Sequence, residues 1–421
     1  MKKIIFCLVF SLPIILLSQN LNGRFSSSFY TFERFNSPTV SESFIRTFQS
    51  LNLNFNYDKI SIRTRFNFET NIGNSLDSDS RLRFYNLYLE ARDIVQFATI
   101  KLGRQPLFST VAGGLFDGVN LKLKHSGFSL TGYYGGNVPP YQKLEFTEDF
   151  KNDYVFGGKF EMTALENFRL AVSYIDKNFK SQNYNALRLD NDYDPITVLI
   201  QQKSNQYKFV SGELSYALND LFEINSRYEY DLNYSVTSKI EFDGRANVTD
   251  NLGFNVYYNY REPRVRYNSI FSIFNFGATQ EIEGGVDYTF GKFYSLIGKF
   301  GYVKFEEENS TRLTIGASSN FGSFSYRKNL GFTGELDAVS LYFAHSLFDG
   351  VVTPSAGISY TNYKLDEESE ANNILAILGG INLRPLTNLS FDFQGQFFDN
   401  KIYKNDMRLL LKVNYLFNTN F

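Results

Sequence analysis

The side chains able to do chemistry are few. The chain has 421 residues, yet it holds only two histidines, His125 and His345, and one cysteine, Cys7. Cys7 falls within an N-terminal leader, so the processed chain would carry no thiol. That removes disulfides, Cys-ligated zinc, iron–sulfur clusters and cysteine nucleophiles. His345 precedes Ser346, but nothing specific sets a carboxylate or amide beside either histidine, as a hydrolase triad requires. The run Asp190-Asn191-Asp192-Tyr193-Asp194 has the spacing that opens a calcium loop. Pro195 stands where that loop needs glycine and Gln201 where it needs glutamate, so solvated loop charge is the better reading. There is no phosphate loop or dinucleotide fingerprint. No enzyme activity, metal or cofactor is expected.

What remains is charge set among alternating residues. Arg63, Arg65, Lys101, Arg104, Lys122 and Lys124 form a candidate basic strip, with Arg83 a less regular companion. Lining a pore, such residues favour anions or acidic solutes. The plainer reading is solvated charge balanced by Glu69, Glu90 and Asp117. Two further segments stand out. Pro106 to Phe116, with Ser109, Thr110, Gly113 and Gly114, suits either an inward fold or an outer hairpin loop. Arg261 to Thr279 is apolar for a loop, with Ile270, Phe271, Ile273, Phe274 and Phe276. It would pack inside, meet another protein, or simply extend its flanking strands.

The elements that position these residues are strands. Leu51, Leu53, Phe55 and Tyr57 alternate with Asn52, Asn54 and Asn56. Ile60, Ile62, Phe66 and Phe68 alternate with Ser61, Arg63, Arg65 and Asn67, and Val119, Leu121 and Leu123 with Asn120, Lys122 and Lys124. A period of two gives one apolar and one polar face. Phe (44) and Tyr (29) are abundant, Trp is absent and Pro is scarce at 9, a composition that suits strands. Mean hydropathy is −0.26, too polar for a bundle of membrane helices. Lys plus Arg (42) nearly balances Asp plus Glu (44), which argues against a nucleic-acid binder.

Lys2 and Lys3 precede the apolar run Ile4 to Leu17, with Ser18 before Gln19. The run is short for a membrane helix and reads as a signal peptide over residues 1–18. Residues 19–421 would then form one domain. Tight joints rich in Asn, Asp and Gly are expected near residues 58, 93, 126, 166, 219, 250, 291, 321, 349 and 387. Longer polar joints lie between them, as at Ile72–Ser80, Gly136–Lys151, Phe179–Asn205 and Lys364–Glu370. Short turns on one side and longer loops on the other predict an all-β, transmembrane, antiparallel up-and-down β-barrel. The count is about 22 strands, with 18 or 20 as alternatives and Leu82–Gly118 the stretch most open to a miscount. A barrel this wide must hold water, a plug or a partner.

The chain ends on a sharp motif. Leu409, Leu411, Val413, Tyr415 and Phe417 alternate with Arg408, Leu410, Lys412, Asn414 and Leu416, and the last residue is Phe421. Here the sequence resembles bacterial outer-membrane β-barrel proteins of the porin type. Thr419 departs from the pattern, where an apolar residue would stand. Leu102-Gly103-Arg104-Gln105, with Gly113-Gly114 beyond, is similar to segments of substrate-selective porins and exopolysaccharide-export barrels. The resemblance implies an outer membrane, with its lipid and barrel-assembly machinery as partners. Val413, Tyr415, Phe417 and Phe421 would be the insertion signal. It also implies a channel for small hydrophilic solutes. The alternative is a barrel that encloses or docks an exported polymer, a lipoprotein or a cytochrome. A single copy and a homo-oligomer are equally open.

Overall fold

The computed structural model describes residues 19–37, 40–74, 80–107, 111–138, 144–180, 184–189, 193–200, 206–219, 221–265, 277–331, 334–365, 369–401 and 405–420. The leader at 1–18, the first three residues (190–192) of the run Asp190–Asp194, the apolar stretch 266–276 and Phe421 lie outside them.

Strands make up nearly all of the described chain. The first nine are β1 (Gln19–Ser37), β2 (Val40–Tyr57), β3 (Ile60–Ile72), β4 (Arg81–Ile94), β5 (Ala98–Leu107), β6 (Gly114–His125), β7 (Phe128–Val138), β8 (Tyr154–Met162) and β9 (Phe168–Asn178). A separate hairpin follows, β10 (Tyr184–Leu189) and β11 (Pro195–Ile200). The wall resumes with β12 (Tyr207–Leu218), β13 (Phe222–Asp231), β14 (Val236–Thr249), β15 (Leu252–Arg261), β16 (Thr279–Phe290), β17 (Tyr294–Phe305) and β18 (Glu308–Ser319). The last six are β19 (Gly322–Gly331), β20 (Glu335–Ala344), β21 (Val352–Lys364), β22 (Asn372–Leu386), β23 (Leu389–Asp399) and β24 (Asp406–Asn420).

All but β10 and β11 join one 22-stranded sheet, each strand antiparallel to its neighbours in sequence. β9 pairs with β12 across the excluded hairpin, and β24 pairs with β1, which closes the barrel. The count of 22 therefore stands, through the stretch 82–118 as well. The tight joints fall at or within two residues of the expected positions. Left-handed residues serve them, Asp58 (φ 48), Ser126 (φ 46) and Asn219 (φ 50) among others. The opposite end is less uniform than expected. The joints after Ser37 and after Phe305 span only two residues, so long loops are confined to part of that rim. At a strand spacing of about 4.8 Å and a tilt near 40°, 22 strands in a circular section lie about 40–45 Å across.

Partners in register share a face, so the two surfaces can be traced around the ring. Phe25, Leu51, Phe66 and Phe84 face out together. Asn54 and Arg63, a register pair, face in. The seam between first and last strands is closed on its inner face by asparagine. Asn20 Nδ2 donates to Oδ1 of Asn418 (2.7 Å) and of Asn420 (2.6 Å), and Asn20 Oδ1 accepts from Asn22 (2.6 Å). Asn414 continues the network to Arg24 (2.6 Å) and Asp392 (3.1 Å). On the outer face, Gly23 lies under the Phe417 ring. A Cβ there would come 2.6 Å from Phe417 Cζ. Asn20→Ala leaves several amides without their partner, at a cost of about 1 kcal/mol. The expected result is loss of the folded, heat-modifiable gel band at a temperature a few degrees lower.

Candidate functional site: a polar lumen narrowed by an inward segment

Large apolar side chains cover the outside of the barrel and remain exposed there: Phe25, Ile62, Leu121, Leu130, Val172, Val256, Ile282, Phe300, Ile315, Ile358 and Leu409 among them. In water such a surface would be unstable. In lipid it is the solvated face, and a closed barrel leaves no unpaired strand edge.

The inner face carries the basic strip. Arg63 and Lys101 approach Glu90 at 3.4 and 3.3 Å, and Arg92 joins them at 3.6 Å. Glu90 is buried by these three cations. Arg65 lies over the Tyr85 ring at 5.3 Å. Lys122 and Lys124 are exposed, pair across β6–β7 with Thr131 and Ser129, and make no ion pair among the described residues. Arg83 approaches Glu69 at 3.9 Å. The strip lies towards the short-turn end, since Lys124 is one residue from the last pair before the turn. Half-way round the ring the inward charges are matched. Arg312 pairs with Glu281 and with Glu283 (2.6 Å), Lys299 with Glu283 (3.2 Å) and Arg245 with Asp287 (2.7 Å). Positive charge in excess is therefore concentrated on β3–β6.

Arg104 does not belong to the strip. It is three residues from Lys101, so strand alternation turns it to the opposite, outward face. There it is almost fully buried and forked onto Asp117, with Nε 2.8 Å from Oδ1 and one terminal nitrogen 2.9 Å from Oδ2. The chain after β7 folds over this pair as a strap. Arg104 donates to Glu145 O (2.8 Å), the Thr147 N–H donates to Asp117 Oδ2 (2.8 Å), and Arg104 lies 5.5 Å from the Phe146 ring centroid. Gly136 admits the strap, because a Cβ would sit 2.4 Å from Thr147 Cβ. A charge pair facing lipid is costly; the strap covers it and presents Leu144, Phe146 and Phe150 instead. At its far end, Asn152 donates to Asp149 (3.0 Å) and Lys180 reaches the same carboxylate at 2.9 Å. These donors hold Asp149 down to about 2. A lowered carboxylate stabilises the fold above its ordinary value near 3.8 and loses that contribution as pH falls through about 2. The expected result is that amide protection at Asn152 persists at pH 3.5 and is lost near pH 2.

The inward element is the segment after β5. Leu107 and Val111 are buried with Phe116, Tyr133, Val155, Ile175 and Phe209, the one hydrophobic cluster on the lumen side of the wall among the described residues. Lys177 Nζ donates to the carbonyls of Ala112 (3.1 Å) and Gly113 (2.9 Å), which fixes the segment to β9. Of the two arrangements open to Pro106–Phe116, the inward fold is the one observed over its described residues. The chain beyond β15 enters the lumen beside it. Arg264 pairs with the fully buried Glu229 and lies 5.8 Å from the Phe209 ring centroid. Arg227 holds Glu229 from the other side at 2.7 Å. Glu90, Glu69 and Asp117 are the acids expected from sequence to balance the strip, and each meets one of its cations; sequence alone does not reveal Lys177, Glu229 or Arg264. Their signal is the partner that topology brings from a distant strand.

His125 ends β6 at a short turn. His345 lies in the turn after β20, its ring 5.2 Å from that of Phe321, while Ser346 bonds Thr353 at 3.0 Å. Val413, Tyr415 and Phe417 face outward, opposite Ser27, Phe25 and Gly23, with Tyr415 and Phe417 stacked at 6.2 Å.

No protein-family model matches the chain, and no curated protein matches it. Solved structures of similar shape include OccAB4 of Acinetobacter baumannii, with 9% identity, a TM-score of 0.46, 97% of this chain covered and 100% of that one. The translocation pore of the P pilus usher PapC aligns at 10% identity and a TM-score of 0.46, over 94% and 99% of the two chains. OpdK of Pseudomonas aeruginosa, solved with vanillate, aligns at 10% and 0.42, over 95% and 99%. These are likenesses of general barrel shape at low identity.

Proposed function

We propose that this chain is an outer-membrane channel through which small hydrophilic solutes diffuse passively, with a preference for anions. The observation that carries the reading is a closed 22-stranded wall with a polar inner face, narrowed by its own segment between β5 and β6. A lumen this wide holds water, and its lining charge sets ion preference. Excess positive charge on β3–β6 supports the anion preference. In this reading residues 1–18 are the export signal and residues 19–421 the single barrel domain. The outward residues Val413, Tyr415 and Phe417, with Phe421, are the signal read by the assembly machinery of a Gram-negative-type outer membrane.

The test is a reversal potential in a salt gradient. Lys122→Ala with Lys124→Ala, combined with Arg65→Ala, should move the potential towards cations while single-channel conductance stays within roughly a factor of two. An unchanged potential would remove the strip from selectivity. Arg104→Ala serves as the contrast: as an outward residue it should leave the potential where it was.

A further inference from the structure

The tips of the short turns carry exposed apolar side chains. Val95, Leu165, Leu221, Val248, Phe293 and Phe348 are between 56% and 76% exposed. Five of them belong to the turns after β4, β8, β12, β16 and β20, and Val248 is the bulged residue next to the end of β14. Beside them stand the polar turn residues Glu166, Asp250, Lys292 and Asp349, so the apolar side chains are additional to what the turns themselves require. We propose that these turns are a collar embedded in the inner leaflet, in contact with phospholipid, and not loops standing in water. The proposal rests on the transmembrane reading of the barrel.

The vertical dimension supports it. Near the loop end, outward tyrosines end the apolar band with their hydroxyls on polar partners. Tyr154 donates to Asp176 (3.0 Å), Tyr260 to Glu262 (2.7 Å) and Tyr360 to Asn373 (2.9 Å). Tyrosine adopts this arrangement where one end of the side chain is apolar and the other wet. Tyr260 is eight residues above Leu252, where β15 begins, and Tyr360 eight above Val352, where β21 begins. At about 3.3 Å per residue and a tilt near 40°, eight residues rise about 20 Å. The apolar band of a membrane barrel is about 25 Å tall. The missing 5 Å or so lies below the first ladder pair, at the level of turn residues such as Phe348, which precedes Val352. The surface is also continuous with the lipid-facing wall. Tyr288, Phe290 and Tyr294 stack at 6.3 and 5.3 Å just above Phe293.

The chain has no tryptophan, so each single substitution provides the sole indole. Phe348→Trp and Phe293→Trp are refolded into phosphatidylcholine vesicles, with Phe300→Trp on the lipid-facing wall and Tyr193→Trp on the β10–β11 hairpin as references. Heat-modifiable gel migration checks folding of each. With acyl-brominated phosphatidylcholine, the two turn reporters should be quenched at least half as strongly as Phe300→Trp, and iodide should quench them several-fold less than Tyr193→Trp. Strong iodide quenching of both turn reporters, with no effect of bromine, overturns the collar. If Phe300→Trp itself escapes the brominated lipid, it is the transmembrane reading that fails.

Discussion

Replacing residues 108–113 by Gly-Gly should raise single-channel conductance roughly twofold or more, because it removes the inward packing of Val111 and its neighbours from the lumen, and the lining of a pore sets its resistance. The exchange is sterically simple. Leu107 and Gly114 are already a register pair of β5 and β6, and two residues are enough to close a hairpin. It removes Val111 from the cluster of Phe116, Ile175 and Phe209 and frees Lys177 from the carbonyls of Ala112 and Gly113. Lys177, which also lies 5.8 Å from the Phe179 ring centroid, stays on the inner face, so the preference for anions should be kept. Unchanged conductance in a folded variant would mean that solute passes elsewhere. Val111→Asp is the milder test. A carboxylate in that cluster carries an uncompensated desolvation cost, so the segment should leave the wall and conductance should become noisy.

The second large effect is expected on the outside. Arg104→Ala strands Asp117 beneath the strap, where the Thr147 N–H still donates to it but the guanidinium fork is gone. Breaking one half of a buried pair costs about 3–5 kcal/mol, whereas removing both halves is much less harmful. Arg104→Ala should therefore lower the stability of the refolded barrel in urea by about that amount, and Arg104→Ala with Asp117→Ala should recover most of it. Equal loss in the single and double variants would show that the pair does not hold the strap. Gly136→Ala approaches the same contact from the wall side, since its Cβ would meet Thr147. The strap should lift and expose Arg104 and Asp117 without a change in either.

The barrel was legible because its rules are local. Alternation over Leu51–Tyr57 or Leu409–Phe417 depends only on neighbours, and a turn such as Tyr57-Asp58-Lys59 declares itself by its residue types. The count of 22 follows from adding such turns. The facing of Arg63, Arg65, Lys101, Lys122 and Lys124 was legible for the same reason. Arg104 was not misplaced for lack of information: its distance of three from Lys101 already turns it outward. What drew it into the strip was its charge, since a lipid-facing arginine is improbable until a covering strap is known. That strap comes from residues 145–150, more than forty positions away. The inward segment was half legible. Its small residues allow the fold, but the surface it packs on is assembled from β6, β7, β8, β9 and β12. The lumen hubs are the least legible. Glu229 is one glutamate among many until Arg227 and the distant Arg264 are brought to it.

The most direct test of the channel reading is single-channel recording of the refolded chain, residues 19–421, in a planar bilayer under symmetric salt. An open, water-filled lumen gives steady, large conductance steps of uniform size. Silence from protein shown to be folded by its heat-modifiable migration would contradict it, and would mean a barrel filled by a partner.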